Sequence, residues 1–220
     1  MVTARESRVA LQLVTSAAVS GGLTLLNSVS GSVSQKRSLL LDATPEIIAY
    51  YSDGSAALAA DFYDDQREIA APPKLFVAEP VVSGRTKKIF NATAWATAPL
   101  LDDDHALAAS RLADVIQLES SRPFRDTILA NRRRDPSAVG WRRVTSGGCK
   151  MCLMLAARGA VYTDQTARFA AHPHCKCTAQ PVFSTDDFGE EASVMQYMAS
   201  RRRRTPAQQA RLRNYLNENF

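Results

Sequence analysis

Apolar positions recur at helical spacing over most of the first 134 residues. Between Arg5 and Leu26, the stripe Val9, Leu13, Ala17, Leu23 and Leu26 predicts a helix that ends or bends at the Gly21-Gly22 pair. Residues 28–38 are polar and rich in Ser and Gly. Thr44-Pro45-Glu46 then reads as a fresh helix start, with Thr44 as N-cap and Pro45 in the first turn, where a missing N–H costs nothing. Ile47, Ile48, Tyr51, Ala57, Leu58, Phe62 and Ile69 continue as one long amphipathic helix or a broken pair, and this stripe reads as core rather than as a cofactor pocket. Ala71-Pro72-Pro73 stops it, because neither proline donates a backbone hydrogen bond and each pushes its predecessor toward an extended conformation. Lys74 to Gly84 is then loop or short extended structure. Helices follow over about 86–98, 102–122 and 123–134. The triplet Asp102-Asp103-Asp104 precedes Leu107, Leu112, Val115, Ile116 and Leu118, a placement that suits a helix N-terminus better than a divalent-cation site.

The pattern changes after Asp135-Pro136. Gly140-Trp141-Arg142-Arg143-Val144 leads into Ser146-Gly147-Gly148, a turn signal, and 149–158 reads as a short helix with Cys152, Leu155 and Ala156 on one face. Gly159 ends it, and Ala160 to Thr163 and Cys175 to Phe183 have the character of two short strands. From Glu190 the chain turns helical again with Val194, Tyr197 and Met198, then restarts at Thr205-Pro206 with Leu212, Tyr215 and Leu216. The expected fold is α+β and predominantly α-helical. Residues 1–135 form a helical region, 136–189 a small Cys/His α+β unit, and 190–220 a basic C-terminal helical tail.

Composition narrows the functional classes. In 220 residues, 45% hydrophobic, there is enough apolar surface for a sizeable core. Net charge is +5, concentrated in Arg132-Arg133-Arg134 and in Arg201, Arg202, Arg203 and Arg204. Such runs attract phosphate or acidic protein surfaces through long-range, salt-sensitive fields, and Arg201 to Arg204 are the candidate contacts to nucleic acid or a partner; as isolated clusters they equally suit solvated helix ends. Aromatic residues make up only 7%, with no alternation of aromatic and basic positions, which argues against a base-stacking platform. The charged start Met-Val-Thr-Ala-Arg-Glu-Ser and the interruptions at Gln12, Ser20, Gly21, Gly22 and Thr24 argue against a secretory signal or a membrane span, so a reducing cytoplasm is the expected place of assembly.

All four cysteines and two of the three histidines fall in one window, Cys149-Lys-Met-Cys152 and His172-Pro-His174-Cys175-Lys-Cys177. A Cys-x-x-Cys turn offers two thiolates to one tetrahedral ion, and a second short Cys/His cluster can close the shell, as in structural zinc sites. Six candidates compete for four places. In an extended chain His172 and His174 share one face while Cys175 and Cys177 share the other; a turn at Pro173 instead lets His172 and Cys175 meet one ion. The favoured set is Cys149, Cys152, His172 and Cys175, with Cys177 and His174 in reserve. A structural staple is favoured over an open catalytic zinc or a Cys/His nucleophile, since no acid is aimed at a histidine; the sequence also lacks a phosphate-binding glycine loop, a GxSxG elbow, and carboxylates paired for acid/base work.

Arg125-Asp126-Thr127-Ile128, Asp135-Pro136, Gly140-Trp141-Arg142-Arg143, Cys149-Lys-Met-Cys152, Ala157-Arg158-Gly159-Ala160-Val161-Tyr162, His172-Pro-His174-Cys175-Lys-Cys177 and Pro181-Val182-Phe183 together resemble the MuF-like minor head proteins of tailed phages. The actinobacteriophage branch, often labelled VG15-like or capsid maturation protease, is the nearest resemblance. Arg203-Arg204-Thr205-Pro206-Ala207-Gln208 adds to it. The resemblance implies a virion protein made beside the portal protein, carried into the procapsid, and acting in head morphogenesis through portal, major capsid or scaffold subunits, with non-specific contact to packaged DNA. It also implies metal ligation by the Cys-x-x-Cys and His-x-x-Cys positions. The alternative is a capsid maturation protease acting on scaffold or major capsid protein. A serine-type site needs a matching histidine, and the remaining one, His105, sits beside the acidic triplet, so an enzymatic role is not expected.

Overall fold

The computed structural model describes residues 1–145, 150–157, 169, 171, 175–184, 210 and 214. The strand expected at 160–163, the basic tail with Arg201 to Arg204, and the candidate ligands Cys149, His172 and His174 lie outside the described residues. Within them the chain is predominantly helical with one small sheet. The order is α1 (Ala4–Ser28), α2 (Val33–Ala70), α3 (Thr86–Thr97), a 3-10 turn (Ala98–Asp102), α4 (His105–Arg134), β1 (Gly140–Val144), α5 (Lys150–Ala156) and β2 (Thr178–Val182).

Two capping boxes set the long helices. Thr3 accepts from the Glu6 amide while the Glu6 carboxylate accepts from the Thr3 amide, and Ser32 and Gln35 repeat the exchange at the start of α2. Each box satisfies two amides that have no partner inside the helix. Gly31, at φ 111°, makes the turn into the second box, a backbone region open to glycine at little cost. Thr44 is therefore not an N-cap. It is fully buried in the middle of α2, and Pro45 lies inside the helix. Likewise 102–122 and 123–134 are one helix, α4, that runs through Pro123. An internal proline removes one helical hydrogen bond at a cost of about 3 kcal/mol. Burial offsets it here, since Leu40, Ile48, Phe124 and Ile128 around the two prolines are all fully buried. The other boundaries fall where expected: α2 ends before Pro72-Pro73, with Ala71 as a left-handed cap, and the Asp104 carboxylate accepts from the Leu107 amide at 2.9 Å to start α4.

Helices α1, α2 and α4 pack against one another. The glycine pair does not break α1, and the buried stripe is not the one expected. Ser7, Leu11, Thr15, Ala18, Gly22 and Leu26 face inward, whereas Val9 and Leu13 are exposed. Small residues line the buried face because α1 lies very close to α4. A Cβ placed on Gly22 would stand 2.1 Å from Ile116 Cδ1, while one on Gly21 would meet nothing within 4 Å. By length and composition α1 could cross a membrane; in this fold its inward face is covered by the bundle.

Strands β1 and β2 are antiparallel, with Gly140 opposite Val182 and Val144 opposite Thr178. The second strand lies where the sequence places it. Its partner is the 140–144 segment, which was read as a lead-in because Trp-Arg-Arg shows no simple alternation. The sheet packs on α4, and Trp141, 1% exposed, joins Phe62, Tyr63, Phe124, Ile128 and Ala179 in one cluster. A second cluster, with Ala18, Leu26, Leu40, Ile48, Leu112 and Ile116, fills the other part of the bundle.

Asp135, just past α4, anchors the turn into β1. Its buried carboxylate accepts from Arg67 Nε at 2.8 Å, from the Ser137 amide at 2.9 Å and from the Tyr63 hydroxyl at 3.4 Å; Arg67 also donates to the Lys74 carbonyl. Burial, followed by the Asp135 charge, raises the Tyr63 phenol well above its usual range. The neutral phenol is thus the form the fold favours, so its contribution is complete below pH ~10 and is lost only as pH rises through the folded value.

Two predictions follow from this packing. Gly21→Ala is expected to stabilise by about 0.5–1 kcal/mol through helix propensity. Gly22→Ala is expected to destabilise by about 1–2 kcal/mol through overpacking, and adding Ile116→Val, which deletes the clashing methyl, should recover part of that loss. Urea melts check all three, and a stabilising Gly22→Ala would refute the close approach. In an alkaline titration followed by tyrosinate absorbance, one phenol should ionise only as the chain unfolds. That late step should vanish in Tyr63→Phe, and its persistence would refute the assignment.

Candidate metal centre

Cys152 lies in α5, whose Cys152, Met154 and Ala156 are buried, and Cys175 and Cys177 lie on the segment that enters β2. Residues two apart in an extended chain point the same way, which brings the side chains of Cys175 and Cys177 to one side. The three sulfurs lie within 4.8 Å of one another, and each cysteine is 2–3% exposed. A tetrahedral zinc with bonds of about 2.3 Å sets its sulfurs about 3.8 Å apart, so the cluster needs only a small contraction to take such an ion. Thiolate donors of this kind suit zinc and other thiophilic ions rather than magnesium or calcium.

Cys177, a reserve in the sequence reading, is thus a full member of the cluster, next to Cys152 and Cys175. His105, the one histidine among the described residues, is at the start of α4, half-exposed and 3.7 Å from the Asp103 carboxylate. Twelve residues of helix, about 18 Å, separate it from Gln117, which donates to the Cys175 carbonyl.

Two residues that the sequence did not mark as part of the site surround the sulfurs. Arg125, 3% exposed on α4, donates from Nε to the Cys177 carbonyl at 3.1 Å and from Nη2 to the Cys175 carbonyl at 3.4 Å and the Ser121 hydroxyl at 3.0 Å. Arg143, 3% exposed on β1, places Nη1 4.0 Å from Cys175 Sγ. Both guanidinium groups lie over the ring of Phe169, at 5.1 and 3.9 Å from its centroid. Cys177 Sγ donates to the Thr145 hydroxyl at 3.4 Å. The available signal for Arg125 was its helical spacing, four residues after Ser121 and three before Ile128, on the same face as these buried positions.

The environment favours a thiolate at Cys175. Hydrogen bonds from Cys152 and Cys177 hold its thiol far below the usual range, with the Arg125 charge acting in the same direction; the same bonds to Cys175 and Cys177 push Cys152 upward. Burial lowers the Arg125 guanidinium to about 10. Against the lowering effect of its hydrogen bond with Cys152, Cys177 is pushed upward as well, by its hydrogen bond to Cys175 and by burial, so binding of a cation by all three sulfurs would release protons. Arg132 to Arg134, the first arginine run, occupy the last turn of α4, where positive charge complements the helix dipole; Arg134 pairs with Glu79 at 2.7 Å.

No curated protein and no solved structure matches the chain. One family model does match, that of the VG15 protein, over residues 3–202. Since this range takes in the whole helical bundle, the sheet and the cysteine window, the chain belongs to the phage-associated family of VG15 proteins.

Proposed function

We propose that this protein is a minor capsid, MuF-like head-morphogenesis protein of a tailed phage, carried into the procapsid near the portal, whose role is structural and interactive. The family match over residues 3–202 carries this reading. Its partners are portal, major capsid or scaffold subunits, with the run Arg201 to Arg204 turned to packaged DNA or to an acidic protein surface. Assembly takes place in the host cytoplasm, and the end point is the interior of the phage head.

The cysteine centre serves in this reading as a zinc staple. Cys152, Cys175 and Cys177 supply three ligands, and Cys149, His172 or His174 supplies the fourth. A closed shell of protein ligands holds segments far apart in sequence together and leaves no place for a substrate. Three nearly fully buried cysteines support that role over a catalytic one. Metal binding would then be coupled to the folding of the segment between α4 and β2.

Quantitative proteomics of purified procapsids and mature virions tests the assembly role. The protein is expected in at least one of them at a fixed ratio to portal protein, and absence from both overturns the reading. Elemental mass spectrometry of the purified chain tests the staple. About one zinc per chain is expected, lost together with thermal stability in Cys152→Ser and Cys175→Ser; a metal-free chain of unchanged stability refutes it.

A further inference from the structure

We propose that Arg125 is the built-in counter-charge of the metal centre, and that Cys152, Cys175 and Cys177 all bind the ion as thiolates, giving a sulfur-rich shell of net negative charge. The inference rests on the zinc-staple reading and specifies what kind of centre it is.

Arg125 is 3% exposed, and its described polar contacts are neutral: the carbonyls of Cys175 and Cys177 and the hydroxyl of Ser121. A guanidinium keeps its proton in proteins, and a buried cation is costly unless an anion lies near it. The Asp126 carboxylate lies within electrostatic reach of Arg125, and so do the sulfurs of the two residues whose carbonyls it holds. Arg143, whose Nη1 is 4.0 Å from Cys175 Sγ, adds positive charge on the same sulfur. Charge arithmetic then separates the possible shells. Zn2+ with two thiolates and two imidazoles is neutral and adds no counter-charge for the two arginines, Arg125 and Arg143, that border the sulfurs. With three thiolates the centre carries a charge of minus one, with four minus two.

Geometry gives the same answer by a separate route. Cys177 is grouped with Cys152 and Cys175 to within 4.8 Å, so a shell built on Cys152, Cys175 and two histidines would have to turn away a sulfur already in position. Arg125 also fixes the direction of the segment: its two donors hold the carbonyls of residues 175 and 177, which share one side of the extended chain. Its role is therefore that of a positioning residue whose charge sets the preference for an anionic shell.

X-ray absorption at the zinc edge of the purified full-length chain is the first test. Three or four sulfur ligands at about 2.3 Å are expected, and two sulfurs with two nitrogens at about 2.0–2.1 Å would overturn the proposal while leaving the staple intact. A wild-type chain that binds no zinc would overturn both. Arg125→Lys and Arg125→Gln then separate charge from hydrogen bonding in a chelator competition, with far-UV circular dichroism confirming the fold of each variant. Arg125→Gln is expected to bind zinc about 10–100-fold more weakly, the usual loss when a residue behind metal ligands is replaced, and Arg125→Lys to recover most of the affinity. Wild-type affinity in Arg125→Gln, or equal losses in both variants, would show that charge is not what Arg125 contributes.

Discussion

A buried guanidinium on α4 ties the helical bundle to the cysteine segment. Arg125 projects from the buried face of α4 and bonds to the backbone of the cysteine segment fifty residues later. Such a group is tolerated in a protein interior only when its donors are satisfied and its charge is answered. The carbonyls of Cys175 and Cys177 do the first, and in the proposed zinc centre the thiolates beside them do the second. The position of the segment 175–177 is thus coupled to that of α4: without the segment Arg125 loses two of its hydrogen-bond acceptors, and without α4 the segment loses its guide.

The bundle around this residue follows from close packing with small side chains. Gly22, Ala18, Thr15 and Ser7 let α1 approach α4, so the apolar side chains Val9 and Leu13 are left facing outward. Hydrophobic strength alone would have chosen the opposite face. What decides is the free energy of filling space: a glycine opposite an isoleucine packs at full density, whereas two large residues at the same distance would clash. The Arg67, Asp135 and Tyr63 group works in the same manner at the exit of α4, where a buried carboxylate with three donors fixes the angle at which the chain turns into β1. Trp141 then falls on the aromatic cluster of α2 and α4, and the sheet is seated.

Much of this could be read in advance. The predominance of helix, the stop at Pro72-Pro73, the start of α4 at the acidic triplet, the short α5 and the second strand are all local consequences of side-chain chemistry that no distant contact reverses. The cysteine window was legible for the same reason, since thiols at knuckle spacing carry their chemistry with them. Where the reading failed, a local rule was overridden by packing. Pro45 and Pro123 looked like helix boundaries and are interior, because the burial of Leu40, Ile48, Phe124 and Ile128 offsets the missing hydrogen bonds. Gly21-Gly22 looked like a hinge; the helix runs through it, and Gly22 is a point of close contact with α4.

The amino-acid sequence by itself determined the helical class, the principal stops and caps, the family and the thiol chemistry of the cysteine cluster, because each depends on backbone stereochemistry or on donor identity within a short window. Tertiary structure alone decided which face of α1 is buried, that Gly140–Val144 pairs with Thr178–Val182, and that Cys177 and Arg125 belong to the centre. Those outcomes turn on distances between residues tens of positions apart, and such distances are fixed only when the whole chain has chosen a packing that fills its interior and answers its buried charges.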